Sequence, residues 1–408
     1  MARLTGVSRS TRQAGHVAAN AVALAYLLAA AVRIMVHSPA GAPDWLLVHL
    51  LLLGAVTNAI VTWSAHFAIS LLHQPQLPAT ATVVRLIVLN VAIVGVLVGV
   101  SEGWHPVAAV AAALLVTVIA AHLGLLVRTG HAGRARRFAP TVRFYWAAAC
   151  AVVLGVCAGV ALVLGDLPGV YYERVYLTHL HLGLLGWVTL TVLGTEFTLW
   201  PIALRTRMVA GLERAATLCL LCCAAGLALL TVGLLCWVRP ATVAGLVLYL
   251  VGVGVSLVPA LRTALRRAPH DPATVMLAAS TGWLVLGLVW DAVAVSRDRD
   301  PSALAAHVGR FAPWLLTGYV LQVLLGALSY LVPVLLGGRP SVGRRTAATV
   351  NRWGFAVVLL LNAAALLLVL GGSVPSHVGW TLAGAAIVVF VASATSAAVV
   401  RAGAGIAP

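Results

Sequence analysis

Histidine recurs at the start of three long apolar runs of the chain. His49, the pair His179 and His181, and His307 each stand at the beginning of such a run. The interval is 132 residues from His49 to His181 and 126 residues from His181 to His307. Neutral imidazole is the commonest metal ligand among side chains. Three equivalent imidazoles therefore predict a metal or haem site, whereas any one of them alone could simply reach an interface or a neighbouring helix.

The spacing of His179 and His181 limits what the pair can do together. Residues i and i+2 of an α-helix point about 200° apart, so both cannot readily bind one ion. The position of His181 relative to His49 predicts that His181 is the equivalent ligand. His179 is then expected to face a different site or a neighbouring helix, and to support the predicted metal ligands His49, His181 and His307.

Three further ionisable residues lie deeper in the apolar runs. His66 follows His49 by 17 residues, and Glu196 follows His179 by 17 residues, which is about 25 Å along a helix. His122 is near the inner end of the fourth run. Ionisable residues inside a membrane span are rare and commonly functional. Glu196, His66 and His122 are candidates for a second site or a proton relay, and the alternative for Glu196 is a protonated carboxyl bonded to a neighbouring helix.

The composition is that of a polytopic, all-α membrane protein. Of the 408 residues 62% are hydrophobic and 9% charged, with a mean hydropathy of +1.04, whereas about a quarter of a soluble protein is charged. A span needs about 20 apolar residues. Twelve such runs are predicted, at 14–36, 45–72, 82–101, 106–127, 143–164, 175–203, 213–237, 241–261, 273–294, 303–336, 353–371 and 377–400. The whole chain is interpreted as a single transmembrane domain.

The six cysteines all lie in apolar runs and do not predict a disulfide framework. Cys219 and either Cys222 or Cys223 share a helix face, so a soft-metal site is an alternative to simple packing. Free cysteine commonly packs as a small apolar residue, and this interpretation is favoured.

The basic residues set the expected orientation. All 26 are arginine, and they lie between the apolar runs rather than in one patch, which argues against a nucleic-acid partner. With the N-terminus inside, six arginines fall outside and the other 20 fall inside, as the positive-inside rule requires. The six are Arg33, Arg174, Arg239, Arg297, Arg299 and Arg310. Both termini are therefore expected in the cytoplasm, and spans 2, 6 and 10 are expected to begin on the outer side.

The chain also contains an internal repeat. HLLLLGAVT (49–57) and HLGLLGWVT (181–189) agree at seven of nine positions. The third unit, which begins at His307, matches in position and in its leading histidine but poorly in its other residues. Repeat-like units are predicted at 14–127, 143–261 and 273–400, which gives three arcs of four helices.

These features resemble a known family. Twelve spans in three arcs with histidines on spans 2, 6 and 10 resemble subunit I of the haem–copper oxidase and nitric oxide reductase superfamily. The string HLHLGLLGW is similar to the histidine–glycine helix of its short, divergent members. HLLLLGAVTNAIVTWSAHF (49–67), RRFAPTVRFYWAAA (136–149) and QVLLGALSYLVPVLLGG (322–338) resemble the membrane region of actinobacterial copper oxidases. The NnrS proteins, which bind haem and copper and are associated with nitric oxide, are a second similar group.

The resemblance implies haem b, copper or both. His49 and His307 lie on the helices that hold the low-spin haem in the family, and His181 lies on a helix that supplies a copper ligand. The family's oxidases also carry adjacent histidines on span 7, a second histidine on span 10 and a tyrosine after the span 6 histidine. This chain has none of these, so a complete oxygen-reducing centre is not expected, and whether the protein is an enzyme stays open.

The expected function is electron transfer or nitric oxide handling by an integral protein of a bacterial inner membrane. A cupredoxin or another redox partner is expected on the outer side. Copper trafficking is an alternative, although the chain has only four methionines and copper(I) favours soft ligands. A cofactor-free transporter or assembly subunit is a third interpretation, in which Glu196 would be the buried charge.

Overall fold

Twelve helices in the part of the chain that the structure describes are long and apolar enough to cross a membrane. The structure, a computed structural model, describes residues 2–37, 43–133, 138–337 and 340–404, and no β-strand occurs in these ranges. The helices are α1 (Val17–His37), α2 (Trp45–Leu71), α3 (Ala79–Ser101), α4 (His105–Ala132), α5 (Ala139–Leu164), α6 (Gly169–Ala203), α7 (Leu212–Cys236), α8 (Arg239–Arg266), α9 (Pro272–Arg297), α10 (Pro301–Val334), α11 (Val342–Leu370) and α12 (Ser373–Val400). The predicted all-α, twelve-span fold class is confirmed. Of the arginines assigned to cytoplasmic segments, Arg134, Arg136, Arg137 and Arg339 lie outside the described residues.

Helices α2, α6 and α10 form the centre of the molecule. In the most apolar stretch of each of these helices, 56%, 72% and 89% of the residues respectively are buried within the protein. The corresponding share is 28 to 50% in the other nine helices. In the nine peripheral helices at least half of the residues in this stretch are not buried by protein, and a bilayer would cover them. The three spans that carry the histidine repeat are therefore the ones most enclosed by protein.

The outer helices pack around this centre with threefold regularity. Neighbouring arcs meet through α4 and α5, through α8 and α9, and through α12 and α1, which closes the ring. Within the arcs, α1 contacts α3, α5 contacts α7 and α9 contacts α11. Likewise α2 contacts α4, α6 contacts α8 and α10 contacts α12. The same helix pairs recur at intervals of four helices, as a threefold repeat of the fold requires.

Each central helix contains one π-helical segment. The segments are Leu50–Val56 in α2, Leu182–Thr189 in α6 and Leu316–Leu321 in α10. Each holds one glycine that aligns with the others, Gly54, Gly186 and Gly318, and the intervals between them are 132 and 132 residues. Single π-helical turns within α-helices are uncommon and occur frequently at functional sites.

The glycine register corrects the alignment of the third unit. One interval of 132 residues beyond His181 lies Pro313, and His307 stands six residues before it. The position taken by histidine in α2 and α6 is therefore taken by proline in α10. His307 therefore does not occupy the position equivalent to His49 and His181, because it lies more than one turn nearer the N-terminal end of its helix.

The three glycines allow the first helix of each arc to approach the centre. A Cβ atom built on Gly54 would lie 2.4 Å from Cδ1 of Tyr26, and on Gly186 it would lie 2.4 Å from Cβ of Ala151. On Gly318 it would lie 2.6 Å from Cγ of Trp283. All three distances are too short for carbon atoms, so the close packing of α1 on α2, of α5 on α6 and of α9 on α10 needs glycine.

Two hydrogen bonds between aromatic and threonine side chains join the central helices at this level. Trp187 of α6 donates its Nε1–H to Oγ1 of Thr57 in α2 at 3.0 Å, and Tyr319 of α10 donates its hydroxyl to Oγ1 of Thr189 in α6 at 3.0 Å. Both threonines in turn donate to the carbonyl five residues earlier. The third equivalent pair would be Ala55 and Leu321, which have no polar side-chain atoms, so α2 and α10 lack this link.

Substitution of the two glycines of the α6 π-helical segment separates packing from helix propensity. Gly186→Ala places a methyl group 2.4 Å from Ala151 and should destabilise the protein by about 1–3 kcal/mol. Gly183→Ala in the same segment meets nothing within 4 Å and should be neutral or slightly stabilising, because alanine favours helix. Thermal unfolding of the detergent-solubilised protein measures both. Equal melting temperatures for the two variants would contradict this packing role.

Candidate functional site

The histidines that the structure brings together are His49 of α2 and His179 of α6. Their ring centroids are 6.2 Å apart and the ring planes differ by 19°. His49 also stacks on Trp45, with centroids 4.2 Å apart. Both imidazoles lie near the predicted outer ends of central helices. The sequence predicted His181 as the partner of His49, whereas the structure places His179 there.

The start of α2 is fixed by a charged cap. Asp44 accepts a hydrogen bond from the backbone N–H of Leu47 at 2.8 Å and forms an ion pair with Arg33 of α1 at 2.7 Å. An aspartate at the N-cap satisfies a backbone donor that the helix leaves unpaired. The first turn of α2, which ends at His49, is thereby held against the end of α1.

Both imidazoles are oriented by backbone carbonyl groups. His49 donates Nδ1–H to the carbonyl oxygen of Trp45 at 2.7 Å, and His179 donates Nδ1–H to that of Gly155 at 2.8 Å. Because a carbonyl oxygen only accepts, the proton of each neutral ring is on Nδ1. Nε2 then keeps its lone pair. This is the arrangement typical of metal-binding histidine, in which the second ring nitrogen is held by an acceptor.

Helix α5 forms the wall behind His179. A Cβ atom on Gly159 would lie 3.0 Å from Cε1 of the His179 ring, and Gly155, one turn before it, supplies the carbonyl. The glycines therefore let the Nδ1–Cε1 edge of the imidazole approach the α5 backbone. The ring has little freedom to turn away from His49.

The centroid separation of the stacked pair, 6.2 Å, is close to that of two imidazoles that share one ion. With metal–nitrogen distances of about 2.0 Å, two imidazoles that bind one ion from opposite sides have centroids about 6 Å apart. No group of three or more His, Cys, Asp or Glu residues able to hold a metal occurs among the residues described here. Among the described residues, His49 and His179 are therefore the two protein groups that would hold a metal at this position.

His181 has a different partner. It lies 3% exposed, and its Nε2 is 2.9 Å from Oδ2 of Asp291 in α9, which is 4% exposed. Its Nδ1 donates to the carbonyl oxygen of Leu177 at 2.7 Å. The expectation that His179 and His181 face different sites agrees with this geometry. Asp291 lies near the C-terminal end of α9 and is buried between helices.

The His181 contacts require a proton between imidazole and carboxyl. Nδ1–H is committed to the carbonyl of Leu177, which cannot donate, so the bond from Nε2 to Asp291 needs a second hydrogen. The pair is therefore either an imidazolium with a carboxylate or an imidazole with a protonated carboxyl. In both forms the lone pairs of the His181 ring are unavailable to a metal.

His307 is held by the connection that leads into its own helix. Asp300 caps α10 by accepting from the backbone N–H of Ala303 at 2.8 Å, and Pro301 follows it. His307 donates Nδ1–H to the carboxylate of Asp298, whose residue is 8% exposed. The side chain of His307 is 36% exposed. It does not join the other histidines, and its bond to Asp298 ties α10 to the end of α9.

The inner candidates are separate from one another. Glu196 lines a central cavity, and His66 lies edge-on to the Trp63 ring with centroids 5.5 Å apart. His122, which is 1% exposed, is 3.0 Å through Nε2 from Oγ of Ser64. Ser64 lines the same cavity as Glu196, so His122 is connected to that cavity through one hydroxyl.

The protonation of His122 follows from its second contact. The guanidinium of Arg85, which is always a donor, lies 3.4 Å from Nδ1. Nε2–H must then donate to Ser64, and Ser64 donates to the carbonyl oxygen of Ile60 at 2.6 Å. In this series of hydrogen bonds, Arg85 donates to His122, His122 to Ser64 and Ser64 to the Ile60 carbonyl. The proton-relay hypothesis for Glu196, His66 and His122 stays a prediction.

The cysteines of α7 pack against a glycine of α8. Sγ of Cys219 and Sγ of Cys223 are 4.0 Å apart, and a Cβ atom on Gly252 would lie 2.5 Å from Sγ of Cys223. Both cysteines are fully buried. Their position agrees with a packing role between α7 and α8.

Comparison of the sequence with models of known protein families and with curated proteins finds no match. The function therefore has to be argued from the residues of this chain.

The Asp291 contact predicts a strong and coupled effect on stability. Asp291→Leu leaves a buried imidazole nitrogen without its partner and should cost about 3–5 kcal/mol if the pair is ionised. Asp291→Asn should cost less, because an amide N–H donates to a neutral imidazole. Thermal unfolding of Asp291→Leu, His181→Leu and the double variant measures the coupling. Strictly additive effects would show that the two residues do not act as a pair.

Proposed function

We propose that this protein binds haem iron or copper between His49 and His179, near the outer ends of α2 and α6, and that the site passes single electrons. The observation that carries the proposal is the pair of facing imidazoles, 6.2 Å apart, each with Nδ1 bound to a backbone carbonyl. The proposal keeps His49 from the ligand set predicted by sequence. It makes His179, predicted from sequence in a supporting role, the second ligand, and it leaves out His181 and His307 because each of those two contacts a carboxyl group.

The choice between the two functions expected from the sequence follows from the number of ligands. His49 and His179 would together hold the group, and a haem or copper held by two imidazoles would favour electron transfer over the binding of a gas such as nitric oxide. A bound haem or copper would supply the one-electron chemistry. The protein would hold the imidazoles in one tautomer, exclude water from their apolar surroundings and place them where a redox partner on the outer side, such as a cupredoxin, could reach.

Cofactor content after histidine substitution is the direct test. His49→Ala and His179→Ala should each abolish the cofactor while the protein still inserts, because each removes half of the protein ligands. His73→Ala, an exposed residue after α2, should retain full content as the control. The measurement is a reduced-minus-oxidised visible spectrum of the purified protein, with iron and copper quantified on the same sample.

The two carboxylate-bound histidines separate this ligand set from the one predicted by sequence. His181→Ala and His307→Ala should keep the cofactor in whatever fraction of the protein folds. Loss of cofactor in these two variants with retention in His179→Ala would restore the sequence-based set. Wild-type protein with neither haem nor stoichiometric copper would reject the proposal.

A further inference from the structure

A cavity lies between the central helices on the opposite side of the π-helical segments from the histidine pair. It is bounded by α2, α6, α10 and α9 and has a volume of about 130 Å³. One water molecule needs about 10–15 Å³ of such volume, so the cavity has room for a ligand on the order of ten non-hydrogen atoms. The cavity lies between α2 and α10, the two central helices that are not joined by an aromatic–threonine hydrogen bond.

The wall of the cavity is apolar and aromatic. Four aromatic residues contribute to it, Trp63 and Phe67 from α2, Trp200 from α6 and Tyr330 from α10. The face of an aromatic ring carries negative electrostatic potential and attracts cations, most strongly when the cation is removed from water. Such a wall also gives dispersion contacts to any apolar part of a ligand.

One carboxyl group lies in this wall. Glu196 of α6 lines the cavity, and it takes part in none of the ion pairs or hydrogen bonds found among the described residues. A carboxylate away from water is costly unless a cation or hydrogen-bond donors compensate it. The basic residue closest along the central helices, Arg205, lies beyond the end of α6 and is exposed. The residues that line the cavity thus include one acidic side chain and several aromatic rings, and none of them is basic.

The other polar groups of the wall are those of Trp63, Trp200 and Tyr330 and five hydroxyl groups that donate to backbone carbonyls. Ser64 donates to the carbonyl of Ile60, Thr191 to that of Trp187, and Thr195 to that of Thr191. Ser280 and Thr281 both donate to the carbonyl of Leu277. The hydrogens of these hydroxyls are therefore used by the backbone, and the oxygens of Ser64 and Thr195 also bond to His122 and Tyr145. The five hydroxyls have no hydrogen left for an anion, which is compatible with a cation.

We propose that this cavity is a binding site for a lipophilic organic monocation, in which Glu196 pairs with the charge and the aromatic rings enclose the apolar part. The site is distinct from the histidine pair, since 17 residues of α6 separate His179 from Glu196, about 25 Å along a helix. Neither site requires the other, so each can fail without the other.

Benzyltrimethylammonium is a suitable probe, because it joins one aromatic ring to one permanent positive charge. Isothermal titration calorimetry of the full-length protein in detergent should show saturable binding below about 1 mM. Neopentylbenzene has the same shape without the charge and should bind at least about tenfold more weakly. Equal binding of the two compounds, or no binding of the cation in this range, would overturn the proposal.

Substitutions at position 196 assign the binding to the cavity. Glu196→Gln keeps the size of the side chain but removes the charge, and affinity for the cation should fall at least about tenfold. Glu196→Asp keeps the charge and should retain the preference for the cation over neopentylbenzene. The matched control is Glu102→Gln, because Glu102 is exposed in the turn between α3 and α4, and its affinity should equal that of the wild type.

A ring substitution makes the test independent of the carboxyl. Phe67→Leu removes one aromatic face and breaks no hydrogen bond of a polar side chain, so affinity for the cation should fall a few-fold. Unchanged affinity in both Glu196→Gln and Phe67→Leu would place the bound cation elsewhere on the protein and refute the assignment.

Discussion

The arrangement of the molecule depends on the π-helical segments of the three central helices. Each segment carries the glycine on which the first helix of its arc packs, and two of them carry the threonine that accepts from the next central helix. A π-helical turn widens the helix and changes the direction of the side chains that follow it. The threonine hydroxyls bond to the carbonyls five residues earlier, which satisfies backbone groups in a region without water. The register of α2, α6 and α10 is set at this level.

Much of this architecture could be predicted from the sequence, because the spans and the repeat produce periodic patterns of residues. Hydropathy determined the number of spans, and the repeat HLLLLGAVT and HLGLLGWVT marked two of the three π-helical segments. The third segment was placed incorrectly in the sequence alignment because His307 was matched to His49 and His181. Glycine is the better anchor, since Gly54, Gly186 and Gly318 are required by backbone packing. Histidine at the equivalent position is not required for packing, and α10 has Pro313 there.

The candidate site was predictable only as far as local geometry reaches. The 200° separation of residues i and i+2 correctly implies that His179 and His181 face different neighbours. Which neighbour each one meets depends on the rotation of α6 within the bundle. That rotation is fixed by contacts far apart in sequence, such as the bond from Trp187 to Thr57. The partnership of His181 with Asp291 spans 110 residues, and no local pattern around Asp291 announces it.

Helix α6 connects the two proposed sites, and its surroundings give them opposite electrostatic character. At the His179 end of α6, Nδ1–H of His179 is bonded to the α5 backbone, Asp44 is paired with Arg33, and Asp291 is bound by His181. That pairing matters for the outer site: a carboxylate left unpaired in a medium of low dielectric would compete for the metal or for the histidine proton. At the inner end Glu196 has no such partner among the described residues. A carboxyl group is therefore bound within the protein near one end of α6, and another is left to attract an external cation near the opposite end.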